Sequence, residues 1–483
     1  MGQARRPREP EPRPDIPAEP QGGLEAGPEA PTRPVAQSPT RTATVRLFGT
    51  HDFFRLWLAQ VVSALGDWIG FLAILAIAER IGGVGGIGVV MTARILPGFF
   101  LAPVAGVLLD RWDRKRVMVG CDVGRGLVLL ALPFVDTIPQ LVVVSFLLEV
   151  MTVMWSPAKE AETPNMVPAG HLATANSLSM VAAYGSIPIA AALFAGLAKV
   201  ADILSRNESL AFLDESSLAV YFDVFTYLAS AVLISTLRFG GRPRQTGVPS
   251  NRRIDFRGTF NEFKDGWRFI AGNRMVGAVM VGLGTGLIGG GMLVPLGPLF
   301  TSQVLGGGAA GYGLVVFALG MGVAVGVVAV SVLNTRLDKP RIFTGAVVLA
   351  GVSLLGGASM STLLPALALV ALLGVGAGCA YVLGYTILQE GVSDDLRGRT
   401  FTALYTVVRL CLLISFAVGP FLTGALGRLS RRFLGAEVSW AGFTISVPGV
   451  RLTLWLAAVI IIVAGVAAGR VLRETQRSGD SPR

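Results

Sequence analysis

The sequence predicts an all-α membrane protein with twelve transmembrane helices in two six-helix pseudo-symmetric bundles. Three observations predict it. Of the 483 residues, 52% are hydrophobic and 15% charged, and the mean hydropathy is +0.62, a balance foreign to soluble globules. Apolar runs of the length a helix needs to cross ~30 Å of hydrocarbon recur at regular intervals. The 61 glycines suit helices that must approach closely in lipid.

Residues 1–44 are rich in Pro, Glu, Arg and Gly and poor in large apolar residues. They cannot bury a core, and we expect a disordered cytoplasmic tail with no apolar signal-peptide segment. The N-terminal bundle, 45–240, holds runs at 53–78, 87–109, 117–134, 138–155, 172–200 and 218–237. A polar linker, 241–274, follows. In it Phe256, Phe260, Phe263, Trp267 and Ile270 recur at helical spacing beside Arg257, Lys264 and Arg268, the pattern of an amphipathic helix lying on a membrane surface. The C-terminal bundle, 275–472, holds runs at 275–299, 311–333, 342–360, 363–388, 401–426 and 447–471, and 473–483 is a second cytoplasmic tail.

Basic residues set the orientation. Arg41 and Arg46 precede the first run, and Arg111–Arg116, Lys159, Arg252–Arg274, Arg336–Arg341 and Arg397–Arg399 fill alternate connections. The opposite connections are short or glycine-rich, so both termini are expected in the cytoplasm. Arg428, Arg431 and Arg432 dissent, on the expected outer side.

The net charge of +10 therefore reflects orientation in a lipid bilayer, and no nucleic acid partner is expected. Cys121, Cys379 and Cys411 lie in apolar runs, and His51 and His171 stand apart from any ligand cluster, so no metal or other cofactor is expected. There is no phosphate-binding loop of the type that hydrolyses ATP and no catalytic constellation, so the chain does not read as an enzyme.

The chain is organised around Gly106–Val117. Two apolar helices flank a loop carrying Asp110, Arg111, Asp113, Arg114, Lys115 and Arg116, too dense in charge to lie in lipid. Gly106 allows close backbone approach where the helix ends, and Asp110 is placed to meet the positive end of a neighbouring helix. This stretch resembles the loop between helices 2 and 3 of the major facilitator superfamily, written G-x-L-x-D-R-x-G-R-(K/R)-x-V. Gly106, Leu108, Asp110, Arg111, Arg114, Lys115 and Val117 match in register, and Asp113 replaces the central glycine. The resemblance implies the twelve-helix fold, with the loop as part of an inner gate facing the start of helix 11 near Thr400.

Ionisable groups inside the runs are costly and mark function. Asp67 lies about 21 Å along its helix from Phe53, and Arg94 about 23 Å from Leu109, so the two are expected at one depth. A carboxylate paired with arginine stays ionised, and one facing an apolar cavity takes up a proton. Asp67 is thus the candidate for proton coupling, with Arg94 as modulator; a purely structural Asp67–Arg94 bridge is the alternative. Asp122 and Arg125 share a face three residues apart, and Glu149 lies near their level, about 10 Å from the inner edge. With Asp110, Arg111, Arg114 and Lys115 they form the expected inner gate. Arg409 is either their distant partner or a substrate contact.

Phe53–Asp67, Ala93–Pro97 and Asp122–Arg125 resemble one bacterial branch of the superfamily, the drug:proton antiporters that include macrolide efflux proteins and enterobactin exporters. Pro157, Pro164, Val167-Pro168, Leu172 and Ala175-Asn176 carry the likeness further, as do Gln389-Glu390, Leu396 and Arg397-Gly-Arg399. One departure stands out. Antiporters of the superfamily bend helix 5 with a Gly-Pro pair, whereas here Pro188 has no adjoining glycine and the pair is Gly419-Pro420 in the eleventh run. Proline in either helix frees a carbonyl and permits a kink. The resemblance implies a bacterial cell-membrane secondary transporter, working as a monomer on a small-molecule substrate and protons, exporting hydrophobic or amphiphilic compounds. A lysophospholipid flippase and a membrane interaction protein without transport are the alternatives.

Overall fold

The computed structural model describes residues 47–109, 112–207, 216–237, 274–333, 338–390, 404, 407–408, 410–435, 437–440 and 443–477. Eleven helical stretches among them are long and apolar enough to cross a membrane, and the first counts twice. His51–Leu109 is helical throughout except at Gly83, with φ 53 and ψ −142. A Cβ built on Gly86 would stand 2.7 Å from the carbonyl oxygen of Ala78, although eight residues of straight helix span about 12 Å. The chain doubles back at Gly83, a turn that glycine takes without strain. Its arms are α1 (51–82) and α2 (84–109), which makes twelve crossings.

Next come α3 (Arg114–Leu130), α4 (Ile138–Met166), α5 (Leu172–Tyr184 and Ser186–Leu204) and α6 (Ser217–Ser235). The second set is α7 (Arg274–Gly291 and Leu293–Gln303), α8 (Gly308–Leu333), α9 (Lys339–Ser359) and α10 (Leu363–Glu390). It closes with α11, a π-helical turn at Ile414–Val418 leading into Gly419–Leu434, and α12 (Gly449–Arg477). The 1–44 tail, nearly all of the linker with its amphipathic stretch, Asp110, Arg111, Arg409 and the last six residues of the C-terminal tail lie outside the described residues.

Three helices are interrupted, each at a residue four before a proline. Pro188 has no N–H for Tyr184, where α5 breaks. Pro295 has none for Gly291, where α7 breaks. Pro420 has none for Phe416, inside the π-helical turn of α11. The missing donor and the ring's clash with that carbonyl account for all three.

Two helices run furthest past their expected ends. α4 runs beyond Trp155 to Met166, because its polar last turns are partnered: Lys159 Nζ donates to Gln60 Oε1 at 3.1 Å and Arg114 to Glu162 at 3.3 Å. α11 runs beyond residue 426 to Leu434 and is capped by Gly435 at φ 60. The dissenting Arg431 and Arg432 occupy its last turn, where cations complement the helix dipole. A short antiparallel hairpin follows, β1 (Glu437–Trp440) and β2 (Phe443–Ser446), which hydropathy alone did not foreshadow.

Close approach is built from small residues. Gly322 and Gly326 of α8 face Gly374 and Gly378 of α10. A Cβ on any of the four would come within 2.0–2.4 Å of a backbone carbonyl oxygen of the opposite helix. The first six helices meet the last six along α5–α8, α2–α11 and α1–α7. The Pro188 ring sits 3.2 Å from a Cβ built on Gly320, and Pro420 and Phe421 sit 3.2 Å from one built on Gly88. Phe194 and Tyr312 pack edge to face with ring centroids 6.3 Å apart, and Ser302 Oγ donates to Glu79 at 3.0 Å.

Candidate functional site

Four helices converge on Arg125. The guanidinium is 1% exposed and donates to Asp67 of α1 at 3.3 Å and, more closely, to Asp122 one turn back on α3. Its cation lies 4.4 Å from the Tyr227 ring centroid of α6 and 5.5 Å from that of Trp155 on α4, so ring faces complete its surroundings. The Tyr227 hydroxyl donates to the same Asp67 oxygen, and Ser230 Oγ donates to Asp122 at 2.7 Å. A buried arginine persists only when paired and hydrogen-bonded, and each element supplies part of that need.

The exposure of the carboxylates differs. Asp122 is fully buried, whereas the Asp67 side chain is 35% exposed. Asp67 is the more accessible carboxylate of the network.

The sequence pairing of Asp67 with Arg94 is not the one formed. Arg94 is half-buried, stacks 5.2 Å over Phe71, and makes no ion pair among the described residues. Arg125 takes its place, donating from α3 to Asp67 at 3.3 Å. The two groups expected at separate depths, Asp67 and Asp122–Arg125, are therefore one network. Glu149 is half-buried and within Coulomb range of Arg94, Asp67 and Arg125.

The described part of the loop serves structure as well. Asp113 caps α3 by accepting from the Arg116 N–H at 2.9 Å, which explains a carboxylate where the pattern has glycine. Arg114 also donates to the Ala161 carbonyl at 2.9 Å, and Lys115 to the Leu237 carbonyl at 2.8 Å, tying α3 to α4 and to the end of α6. Gly106 lies within α2.

Sequence reading missed the contribution of α6. Asp223, Thr226, Tyr227 and Ser230 fall at helical spacing on one face, a polar stripe legible in the sixth run. Asp223 is 2% exposed and accepts from Thr226 Oγ1 at 3.3 Å. Its oxygens would stand 2.3 and 2.0 Å from Cβ atoms built on Gly66 and Gly70, so α1 carries two glycines where this carboxyl packs.

Twelve helices in two sets of six that meet along paired helices, with charged groups buried inside the first set, are the architecture of multi-pass secondary transporters. The family model of the Major Facilitator Superfamily matches residues 56–416. The chain belongs to that superfamily, a family of transporters of small molecules rather than of enzymes.

Relatives among known proteins include efflux proteins. The chain is 27% identical over 366 residues to the protein named as the bacilysin exporter BacE of Bacillus subtilis (strain 168), covering 74% of this chain and 85% of that one. A shorter match to macrolide efflux protein A of Streptococcus pyogenes is 32% identical over 122 residues, covering 24% of this chain and 30% of that protein. The match to the Bacillus subtilis MFS-type transporter YfiS, 31% identical over 128 residues, covers 26% of this chain and 31% of that protein. Among solved structures, a bacterial homologue of the human lysosomal transporter Spinster, inward-facing and occupied, superposes with a TM-score of 0.66 at 13% identity. It covers 88% of this chain and 97% of that chain, a likeness of fold.

Proposed function

We propose that this protein is a proton-coupled exporter of hydrophobic or amphiphilic small molecules, working as a monomer in the bacterial cell membrane with both termini cytoplasmic. The observation that carries the reading is Asp67, a partly exposed carboxylate held by the buried Arg125 and by Tyr227. When Asp67 takes a proton, Arg125 keeps Asp122 alone, and the tie between α1 and the α3–α6 pair weakens. Substrate and proton then compete for one network, which is the requirement of exchange. The acids Asp67, Asp122, Glu149 and Asp223 outnumber the arginines Arg94 and Arg125 by two, so neutrality in a low-dielectric site favours proton uptake over further fixed charge. The two halves rock about the α2–α11 and α5–α8 contacts, where Pro420 and Pro188 meet glycines. Efflux relatives support the direction and substrate class.

Sealed vesicles given a panel of cationic dyes, macrolides, siderophores and lysolipids test this. Substrate-triggered proton movement is expected with one class, and Asp67→Asn is expected to abolish it while leaving the folded protein in the membrane. An Asp67→Asn protein that transports normally and still follows the gradient would defeat the assignment.

A further inference from the structure

A cavity of about 560 Å³ lies between α3 and α4 at the end of the bundle marked by Asp113. Its walls are apolar and adaptable, with Met151, Met154 and Cys121 among them, and its mouth carries Trp112 and Arg116. The volume falls in the range of pockets that hold small ligands, roughly 300–1,000 Å³. Thioether side chains conform to flexible occupants.

Charge at the mouth is unevenly committed. Arg114 is engaged by Glu162 and the Ala161 carbonyl, and Lys115 by the Leu237 carbonyl. The Asp113 carboxylate accepts from the backbone N–H of Arg116. The Arg116 guanidinium is exposed and has no ion pair or hydrogen bond among the described residues. Trp112, 52% exposed, stands beside it. Arginine and tryptophan at the first turn of a crossing helix mark the headgroup level of a bilayer.

The cavity also continues into a lipid-facing stripe. Arg116, Gly120, Val123, Leu127 and Leu130 are the exposed positions of α3, three or four residues apart and so on one face. A Cβ on Gly120 would meet nothing within 4 Å, so the groove is open at this level.

The geometry points to a binding site for one anionic phospholipid of the leaflet at the Asp113 end, its phosphate on Arg116 and an acyl chain between α3 and α4. A single headgroup charge complements the Arg116 guanidinium, which has no ion pair among the described residues, and the apolar floor excludes a hydrated soluble anion from all but the mouth. Basic pockets between membrane helices recognise anionic headgroups in this way. The site shares no lining side chain with the Asp67 network and does not depend on what the protein transports.

The full chain, reconstituted in vesicles, tests it by quenching of tryptophan with brominated lipids, the Trp112 contribution being the difference from Trp112→Phe. Brominated phosphatidylglycerol is expected to quench that contribution at a mole fraction roughly fivefold lower than brominated phosphatidylcholine, the preference one arginine near an anionic headgroup gives. Arg116→Gln is expected to make the two lipids equal. Gly120→Leu, whose side chain enters open space, is expected to reduce quenching by both lipids at unchanged thermal stability. Equal quenching by the two lipids in the natural sequence, or a preference that survives Arg116→Gln, would overturn the proposal. Displacement of the lipid by millimolar inorganic phosphate would also overturn it, by making a soluble anion the occupant.

Discussion

Arg125→Met is expected to destabilise the folded protein by about 3–5 kcal/mol, the cost of removing one member of a buried ion-pair network. The size follows from what is left behind. Among the described residues, fully buried Asp122 would keep Ser230 as its hydrogen-bond donor, and the partly exposed Asp67 would keep Tyr227. A carboxylate without its cation in a dry site is more damaging than the absence of the pair. Thermal unfolding in detergent checks the loss. The triple variant Asp67→Asn, Asp122→Asn, Arg125→Met is expected to recover most of the stability and none of the proton-linked transport. Arg125→Lys is expected to fall between, since an ammonium cannot bridge two carboxylates with a planar fork. A natural midpoint in Arg125→Met would mean that the network carries no stability.

Gly322→Ala and Gly374→Ala carry the second large effect. Their added methyl carbons would stand 2.0 Å from the Ala371 carbonyl oxygen and 2.3 Å from that of Leu319, distances no carbon tolerates. α8 and α10 must part along their shared seam, with an expected loss of about 1–3 kcal/mol for each substitution. Gly345→Ala on α9 is the control. Nothing lies within 4 Å of its built Cβ, so it is expected to be neutral or to stabilise by roughly 0.5–1 kcal/mol through helix propensity. Equal melting of Gly322→Ala and Gly345→Ala would show that the seam has slack.

Much of the fold was legible because lipid imposes it. A backbone that cannot hydrogen-bond to hydrocarbon must form complete helices, so apolar length alone marked the crossings, and Pro188 and Pro420 marked where two of them break, while the break before Pro295 was not marked. The ends were less legible. α4 and α11 outran their apolar runs because Lys159, Glu162 and the arginines of α11 are satisfied by partners or by the helix dipole, which hydropathy does not record. The candidate site was legible as a set of costly residues, Asp67, Arg94, Asp122, Arg125 and Glu149. Its pairing was not. Depth counted along a helix places a Cα, and Arg125 acts several ångströms from its own. Asp223 and Tyr227 carry a weaker signal, a helical spacing of polar groups in an otherwise apolar run, which mean hydropathy averages away.

The membrane environment, the number of crossings, the superfamily and the charged residues that membrane depth makes expensive are all readable along the chain. Each of these is local: a run of apolar residues, a loop pattern, a proline's missing N–H. Packing between helices settles which carboxylates hold Arg125, where α1 makes room with Gly66 and Gly70 for Asp223, and that Arg116 at the α3 entrance has no ion pair among the described residues. Those depend on distances between side chains of different helices. Such distances are set by how glycines and bulky residues pack across the bundle, which no spacing along one helix contains.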